Sequence, residues 1–162
     1  TGTQHLSLQQ DSMTELYDNP WMYKGKPVLE APPGVEAFVY VMTHVGSGKA
    51  YIGQKMMTMA KTRMVKGKKK KYRGESKWRD YYSSSAEIAK MMEDGEVFTR
   101  EILYFCQNKG SASYYESREQ FDRRVLENPG GFYNGIINCR VSKTHVKPLL
   151  LPDSTSNPSV AG

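Results

Sequence analysis

Tyr40 and Tyr51 are the residues of this 162-residue chain whose types and spacing first suggest chemistry. They hold comparable places on two apolar, β-branched and aromatic runs, Ala37 to His44 and Ala50 to Lys55, joined by the turn Gly46-Ser47-Gly48-Lys49. Such runs about a glycine-rich turn predict a β-hairpin, with the two phenols converging on one face. Directly behind it the chain is nearly free of acid. From Lys49 to Arg79 there are twelve basic residues and one acidic residue, Glu75. Paired phenols beside a strong positive field suit a site that acts on a phosphate backbone. The turn also resembles part of a P-loop, but Thr43 stands where the leading glycine is required and Ala50 where Ser or Thr must follow the lysine.

The whole chain is basic, with net charge +6, and 38% hydrophobic residues exclude global disorder. Its length predicts one domain with a modest core, too short for a catalytic domain plus a full DNA-reading domain. We divide it into an N-terminal arm (1–34), a folded domain (35–141) and a flexible C-terminal tail (142–162). Cys106 and Cys139 lack the spacing of a zinc site and read as two reduced core thiols. No apolar run approaches a membrane span, and no signal peptide is visible, so a cytoplasmic protein is expected.

The elements that must position the tyrosines follow from pattern. Residues 1–18 read as a mobile extension with a short helix around Ser12 to Tyr17. Residues 19–34, with Trp21, Tyr23, Pro27, Pro32 and Pro33, read as an irregular arm tacked on by its aromatics. Met56, Met57, Met59, Ala60 and Met64 predict a short helix with an apolar face, and Lys66 to Lys71 an exposed loop placed for phosphate contact. Ser83-Ser84-Ser85 supplies an N-cap for a helix over Ala86 to Glu93, ended by Asp94-Gly95. A strand is expected over Phe98 to Cys106. A second helix is expected from Ser111 or Ser113 to Leu126, with Tyr115, Phe121 and Leu126 near one face and Asn128-Pro129-Gly130-Gly131 as its stop. The order β-β-α-β-α predicts an α+β domain: a small, mostly antiparallel three-stranded sheet flanked by helices, with extended arms at both ends.

Tyr51-Ile52-Gly53, the tyrosine of Phe38-Val39-Tyr40, Arg100-Glu101-Ile102-Leu103, Tyr115-Glu116 and Tyr133-Asn134 occur in an order that resembles the GIY-YIG nucleases. With Ser76-Lys77-Trp78 and Tyr81-Tyr82-Ser83-Ser84-Ser85, the spacing is most similar to the free-standing Seg-type homing endonucleases of tailed phages, over roughly residues 19 to 141. The resemblance implies a DNA endonuclease that uses a single divalent metal, Mg²⁺ or Mn²⁺. It implies Tyr40 as general base, Tyr51 orienting water or phosphate, Glu116 as metal ligand with Glu119 as competitor, and Asn134 as hydrogen-bonding support. The family arginine follows the Tyr-Ile-Gly strand by about ten residues. Lys61 holds that offset; we choose Arg63, with Arg73 and Arg79 as alternatives. Phe38 replaces the family's first glycine.

Lys55, Lys66, Lys68, Lys69, Lys70, Lys71 and Arg73 are the expected nucleic-acid contacts, and double-stranded DNA the expected partner. A non-catalytic nucleic-acid-binding or structural phage protein that keeps the fold is the alternative. An RNA-directed module rests on charge and aromatics alone.

Overall fold

The computed structural model describes residues 16–149. The helix expected around Ser12 and the tail beyond Leu149 fall outside these residues. Seven strands and two α-helices follow in order: β1 (Met22–Tyr23), β2 (Lys26–Pro27), β3 (Ala37–His44), β4 (Ala50–Met56), β5 (Thr58–Val65), β6 (Lys68–Glu75), α1 (Ala86–Glu93), β7 (Phe98–Cys106) and α2 (Lys109–Asp122). The expected hairpin is β3–β4, and the expected third strand is β7, antiparallel to β3 on its other side.

The sheet is larger than the three strands expected. Its order is β2-β1-β7-β3-β4, because the arm supplies two short strands. Met22 pairs in parallel with Glu101, which makes the sheet mixed. The arm is held by side chains as well as by strand pairing. Trp21 is fully buried against Phe38 and Tyr40, and its indole Nε1 donates to the carbonyl of Trp78 at 2.8 Å. Proline-rich sequence does not announce strands, and burial of the indole offsets the weakness of two-residue strands.

The segment after β4 is a correction. Thr58 to Glu75 is not a helix and loop but a separate two-stranded antiparallel ribbon, β5–β6, paired from Thr58–Glu75 to Val65–Lys68. The methionine spacing suggested a helical face. The stronger signals are the β-branched Thr58, Thr62 and Val65 and the two-residue turn Lys66-Gly67, at φ 52° and φ 77°. Two successive positive φ values define the type I′ turn whose twist matches a hairpin.

Helix α1 begins as expected, with Ser85 Oγ accepting from the Ile88 amide. Helix α2 begins earlier than expected: Asn108 Oδ1 accepts from the Ser111 amide at 2.9 Å and caps it. The expected apolar face of α2 is also corrected. Phe121 and Leu126 are at least half exposed, whereas Ser111, Ala112, Ser117 and Gln120 are buried. The helix turns a small, polar face inward, where Ser111 and Ser117 hydrogen-bond the returning chain and Gln120 lines the site described below.

Two apolar layers sandwich the sheet. Phe38, Tyr40, Met42, Trp21, Trp78, Ile88, Phe98, Ile102 and Phe105 pack on one face. Val39, Val41, Ile52, Cys106, Ala112 and Val125 pack on the face covered by α2. Cys106 is a core thiol, pushed up to about 12 by desolvation, but Cys139 is exposed, against the expectation that both lie in the core. Residues 142–149, placed in the tail by the sequence, run back over the start of α2. There Asn108 Nδ2 donates to the His145 carbonyl and the Lys147 amide donates to Ser111 Oγ.

Candidate active site

The site is built at an edge. Strand β4 is the outermost strand of the sheet, so side chains from both of its faces reach the same opening. Alternation along the strand puts Tyr51 and Gly53 on one face and Ile52 and Gln54 on the other. In the ladder Tyr40 is opposite Gly53 and Met42 opposite Tyr51, so the two tyrosines are diagonal neighbours, with ring centroids 6.4 Å apart.

The outer edge of β4 is covered along its first half by the chain after α2. The Ala50 amide donates to the Gly131 carbonyl at 2.9 Å, and the Tyr133 amide donates to the Ala50 carbonyl at 2.7 Å. Asn134 then takes the place of a strand. Its Oδ1 accepts from the Ile52 amide at 3.0 Å and its Nδ2 donates to the Ile52 carbonyl at 2.8 Å. A side-chain amide carries both the acceptor and the donor that this pairing needs. Asn134 is buried, and this pairing ends the edge where the cavity begins.

Glu116 enters from α2. Gln54 Nε2 donates to its Oε1 at 3.0 Å and Gln120 Nε2 donates to its Oε2 at 3.3 Å. Gln120 lies one turn on, so α2 positions the carboxylate and one of its donors together. Desolvation raises the pKa of Glu116, and the two amide hydrogen bonds oppose that shift. It makes no ion pair among the described residues, although it is half-buried. Glu119 is differently engaged: Tyr104 Oη donates to one oxygen at 2.6 Å and Arg123 Nε to the other at 2.9 Å.

The tyrosines are held from above by the chain before α1. Tyr40 hydrogen-bonds with Tyr81 and Ser83, and Tyr51 with Ser84. Ser83 has φ 85°, a left-handed conformation rarely adopted by a non-glycine residue, so the loop is strained where it meets the phenols. Arg100 holds that loop in place. It is buried, it donates from Nη1 to the Tyr81 carbonyl at 2.7 Å and from Nε to the Asn19 carbonyl at 2.9 Å, and it stacks on Tyr82 at 4.1 Å. Tyr40 is 1% exposed, and its pKa is raised well above 10, chiefly by burial and then by Tyr81. Tyr51 is half-buried and raised less, also chiefly by burial. Burial thus favours the neutral phenol at both positions.

Tyr40, Tyr51, Glu116 and Asn134 line one cavity of about 360 Å³, together with Gln54, Ser84 and Arg140. The other expected residues lie elsewhere. Arg63 is on β5, over the Tyr72 ring at 5.0 Å, and does not line the cavity. Arg73 donates to Thr58 Oγ1 at the root of the ribbon. Arg79 is a strut, with Nη2 on the Leu29 carbonyl at 2.8 Å. Lys55 sits over the Tyr81 ring at 4.6 Å and does not line the cavity. Lys66, Lys68, Lys69, Lys70 and Lys71 lie at the exposed far end of the ribbon. Arg140 is the one cation among the cavity-lining residues.

A family model for the segE-type endonuclease GIY-YIG domain matches residues 21–137, well over half of the chain. The chain belongs to the GIY-YIG nuclease family. No match was found among curated proteins or solved structures. As a GIY-YIG nuclease the protein is a phosphodiester hydrolase, and the matched span runs from the buried Trp21 to just past Asn134. The β5–β6 ribbon falls within that span and occupies the segment in which the family arginine was sought.

A divalent cation fits the donor set of this GIY-YIG nuclease on one observation: a half-buried carboxylate that accepts from two neutral amides, and makes no ion pair among the described residues, faces a polar cavity. Burial of an unpaired charge is unfavourable, and a cation relieves it. No cluster of three His, Cys, Asp or Glu occurs among the described residues. A single carboxylate completed by waters is the pattern that suits Mg²⁺.

Sequence reasoning missed Gln54, Ser84, Gln120 and Arg140. For two of these a signal existed. Gln120 follows Glu116 at i+4, and Ser85 alone caps α1, which leaves Ser83 and Ser84 free for another task. Nothing in the sequence brings Arg140 beside Tyr51.

Proposed function

We propose that this nuclease hydrolyses phosphodiester bonds of duplex DNA at the β4 edge, with one divalent cation held by Glu116. The observation that carries this reading is the shared cavity of Tyr40, Tyr51, Glu116, Asn134 and Arg140. A bound Mg²⁺ or Mn²⁺ would gather phosphate charge and lower the pKa of a coordinated water. The chain's own residues do the rest. Arg140 presents a guanidinium to a phosphate oxygen, for which its planar fork is matched. Tyr51, half-buried and near Glu116, orients the attacking water as a neutral phenol. Tyr40, protonated and fixed by Tyr81 and Ser83, donates toward the phosphate. Asn134 keeps the β4 edge closed so that these groups keep their spacing. Within this reading the protein is phage-encoded and works in the cytoplasm of the host cell.

The test is a supercoiled plasmid incubated with the protein and Mg²⁺ or Mn²⁺, alongside Glu116→Ala and Tyr51→Phe. Nicked or linear product that needs both the metal and Glu116 is expected. Untouched plasmid, or equal cleavage by Glu116→Ala, overturns the mechanism. Salt-sensitive binding without any strand break would leave the non-catalytic alternative.

A further inference from the structure

The β5–β6 ribbon stands apart from the domain. Its strands pair only with each other, in eight consecutive pairs, and join neither face nor edge of the main sheet. It is anchored at its root alone. Met57 is fully buried and its amide donates to the Glu36 carbonyl, the Ser76 amide donates back to the Met57 carbonyl, and Arg73 lies 3.9 Å from Glu36. Beyond that root an isolated two-stranded hairpin in water is marginally stable, so this one has little to hold it except what it binds.

Its composition says what that is. From Thr58 to Gly74 there are eight basic residues and no acidic one. The register sorts them. Lys61, Arg63, Lys68 and Lys70 share one face with Tyr72, and Lys69, Lys71 and Arg73 share the other with Thr62 and Met64. On the first face the cations are ordered: Gly74 leaves room for the Lys61 stem, and Arg63 stacks on Tyr72. Met64, 64% exposed, and Tyr72, 38% exposed, put apolar surface among the cations. A ribbon that met phosphates alone would need cations on one side only. Cations on both faces with apolar side chains between them suit a strip flanked by negative charge on either side.

We propose that the β5–β6 ribbon is a DNA-binding arm that lies in the major groove of the duplex whose backbone is cut at the β4 edge. The partner class rests on the nuclease reading above; the groove assignment rests on the ribbon itself. A two-stranded ribbon fits the B-form major groove, about 12 Å wide. The eight-residue strands span roughly 26 Å at ~3.3 Å per residue, and Thr58 follows Gln54 by about 13 Å of extended chain. The arm therefore reaches at most about 40 Å from the cavity, or roughly twelve base pairs at ~3.4 Å each. The cations on the two faces meet the phosphates of the two groove walls.

The test compares the full chain, in a Glu116→Ala background that leaves DNA intact, with two variants. In one, residues 61–72 are replaced by Asn-Gly, which closes a shorter hairpin at the Ala60–Arg73 pair. In the other, Lys68, Lys69, Lys70 and Lys71 are all changed to Gln, which leaves the backbone untouched. Binding is measured to a 40-base-pair duplex, to the same duplex crowded in the major groove by bulky C5 substituents on its pyrimidines, and to a double-stranded RNA of equal length. Both variants should lose at least tenfold in affinity, and at about 0.9 per phosphate contact the slope of log K against log salt should fall by up to about 3.6 for the four lysines and up to about 6 for the seven cations of the shortened arm. Major-groove crowding should weaken the full arm tenfold or more and the shortened arm little. The RNA should compete poorly, because its major groove is too deep and narrow for side chains. Unchanged affinity and salt slope in both variants overturn the arm. Equal sensitivity of full and shortened arms to crowding, or equal competition by RNA, overturns the groove assignment. Failure of the wild-type protein to cut plasmid would end the cleavage mechanism and leave these binding results standing, so the two readings fail separately.

Discussion

Gly53 lies opposite Tyr40 in the β3–β4 ladder, and the Tyr40 phenol fills the space that a side chain at position 53 would need. A Cβ there would come within 2.5 Å of the Tyr40 hydroxyl and 3.1 Å of the Tyr51 ring. The glycine of the Tyr-Ile-Gly strand is thus required by the first tyrosine more than by its own backbone.

Gly53→Ala should therefore separate the two phenols. Overpacking at a rigid ring costs about 1–3 kcal/mol. Thermal unfolding should shift down by several degrees, and plasmid cleavage should fall by at least a hundredfold. A variant that cuts at the wild-type rate would show that the phenols need not be fixed.

Glu116→Gln separates activity from stability. Burial raises the pKa of Glu116, so the folded state prefers the protonated acid. The charged carboxylate weakens the fold above its folded pKa, and that cost disappears as pH falls through it. At neutral pH the neutral amide should raise Tm by about 2–4 °C, on the scale of 1 kcal/mol for a chain of this size, while abolishing cleavage. Mg²⁺ should raise the Tm of the wild-type protein and leave Glu116→Gln unmoved. In the metal-free protein the Glu116 carboxyl should titrate above its ordinary value, and Mg²⁺ should lower it, because a cation favours the charged form. Equal metal-induced shifts in both proteins would remove Glu116 as the ligand.

Asn134→Ala deletes the two bonds that close the β4 edge at Ile52. A buried amide left without a partner costs about 1–3 kcal/mol. Hydrogen exchange at the Ile52 amide should rise far more than exchange at Val39 in the middle of the sheet. Uniform acceleration across the sheet would mean that Asn134 acts on global stability alone.

Arg140→Ala should lower the cleavage rate tenfold or more with little change in Tm, because Arg140 is exposed at the cavity rim. Arg140→Lys should restore only part of the rate, since an ammonium keeps the charge but loses the bidentate fork. Full activity in Arg140→Ala would return the phosphate contact to another cation.

Arg100→Met tests the strut beneath the serine loop. It leaves the carbonyls of Asn19 and Tyr81 unpaired and removes the stack on Tyr82, a loss of about 3 kcal/mol or more. The arm and the loop over Tyr40 and Tyr51 should then exchange faster than α2. If both keep their protection, Arg100 is not what fixes that loop.

The sequence alone determined the parts of this protein that depend on near neighbours. Apolar, β-branched and aromatic runs about Gly46-Ser47-Gly48 specify β3–β4, the aromatic and β-branched residues of Phe98 to Cys106 specify β7, and Ser85 marks the start of α1, because pairing, burial and capping each act over a few residues. The order of the family motifs was legible for the same reason. Tertiary structure decided the rest. Whether Met59 and Met64 belong to a helix or a ribbon depends on the turn conformation at Lys66-Gly67, which outweighs a spacing compatible with both. Which α2 face is buried depends on the sheet edge it meets, so Ser117 and Gln120 lie inside and Phe121 outside, against hydropathy. The charge of the cavity was the least legible: Arg140 reaches it from beyond the last helix, after residues 131–134 have paired with the outer edge of β4.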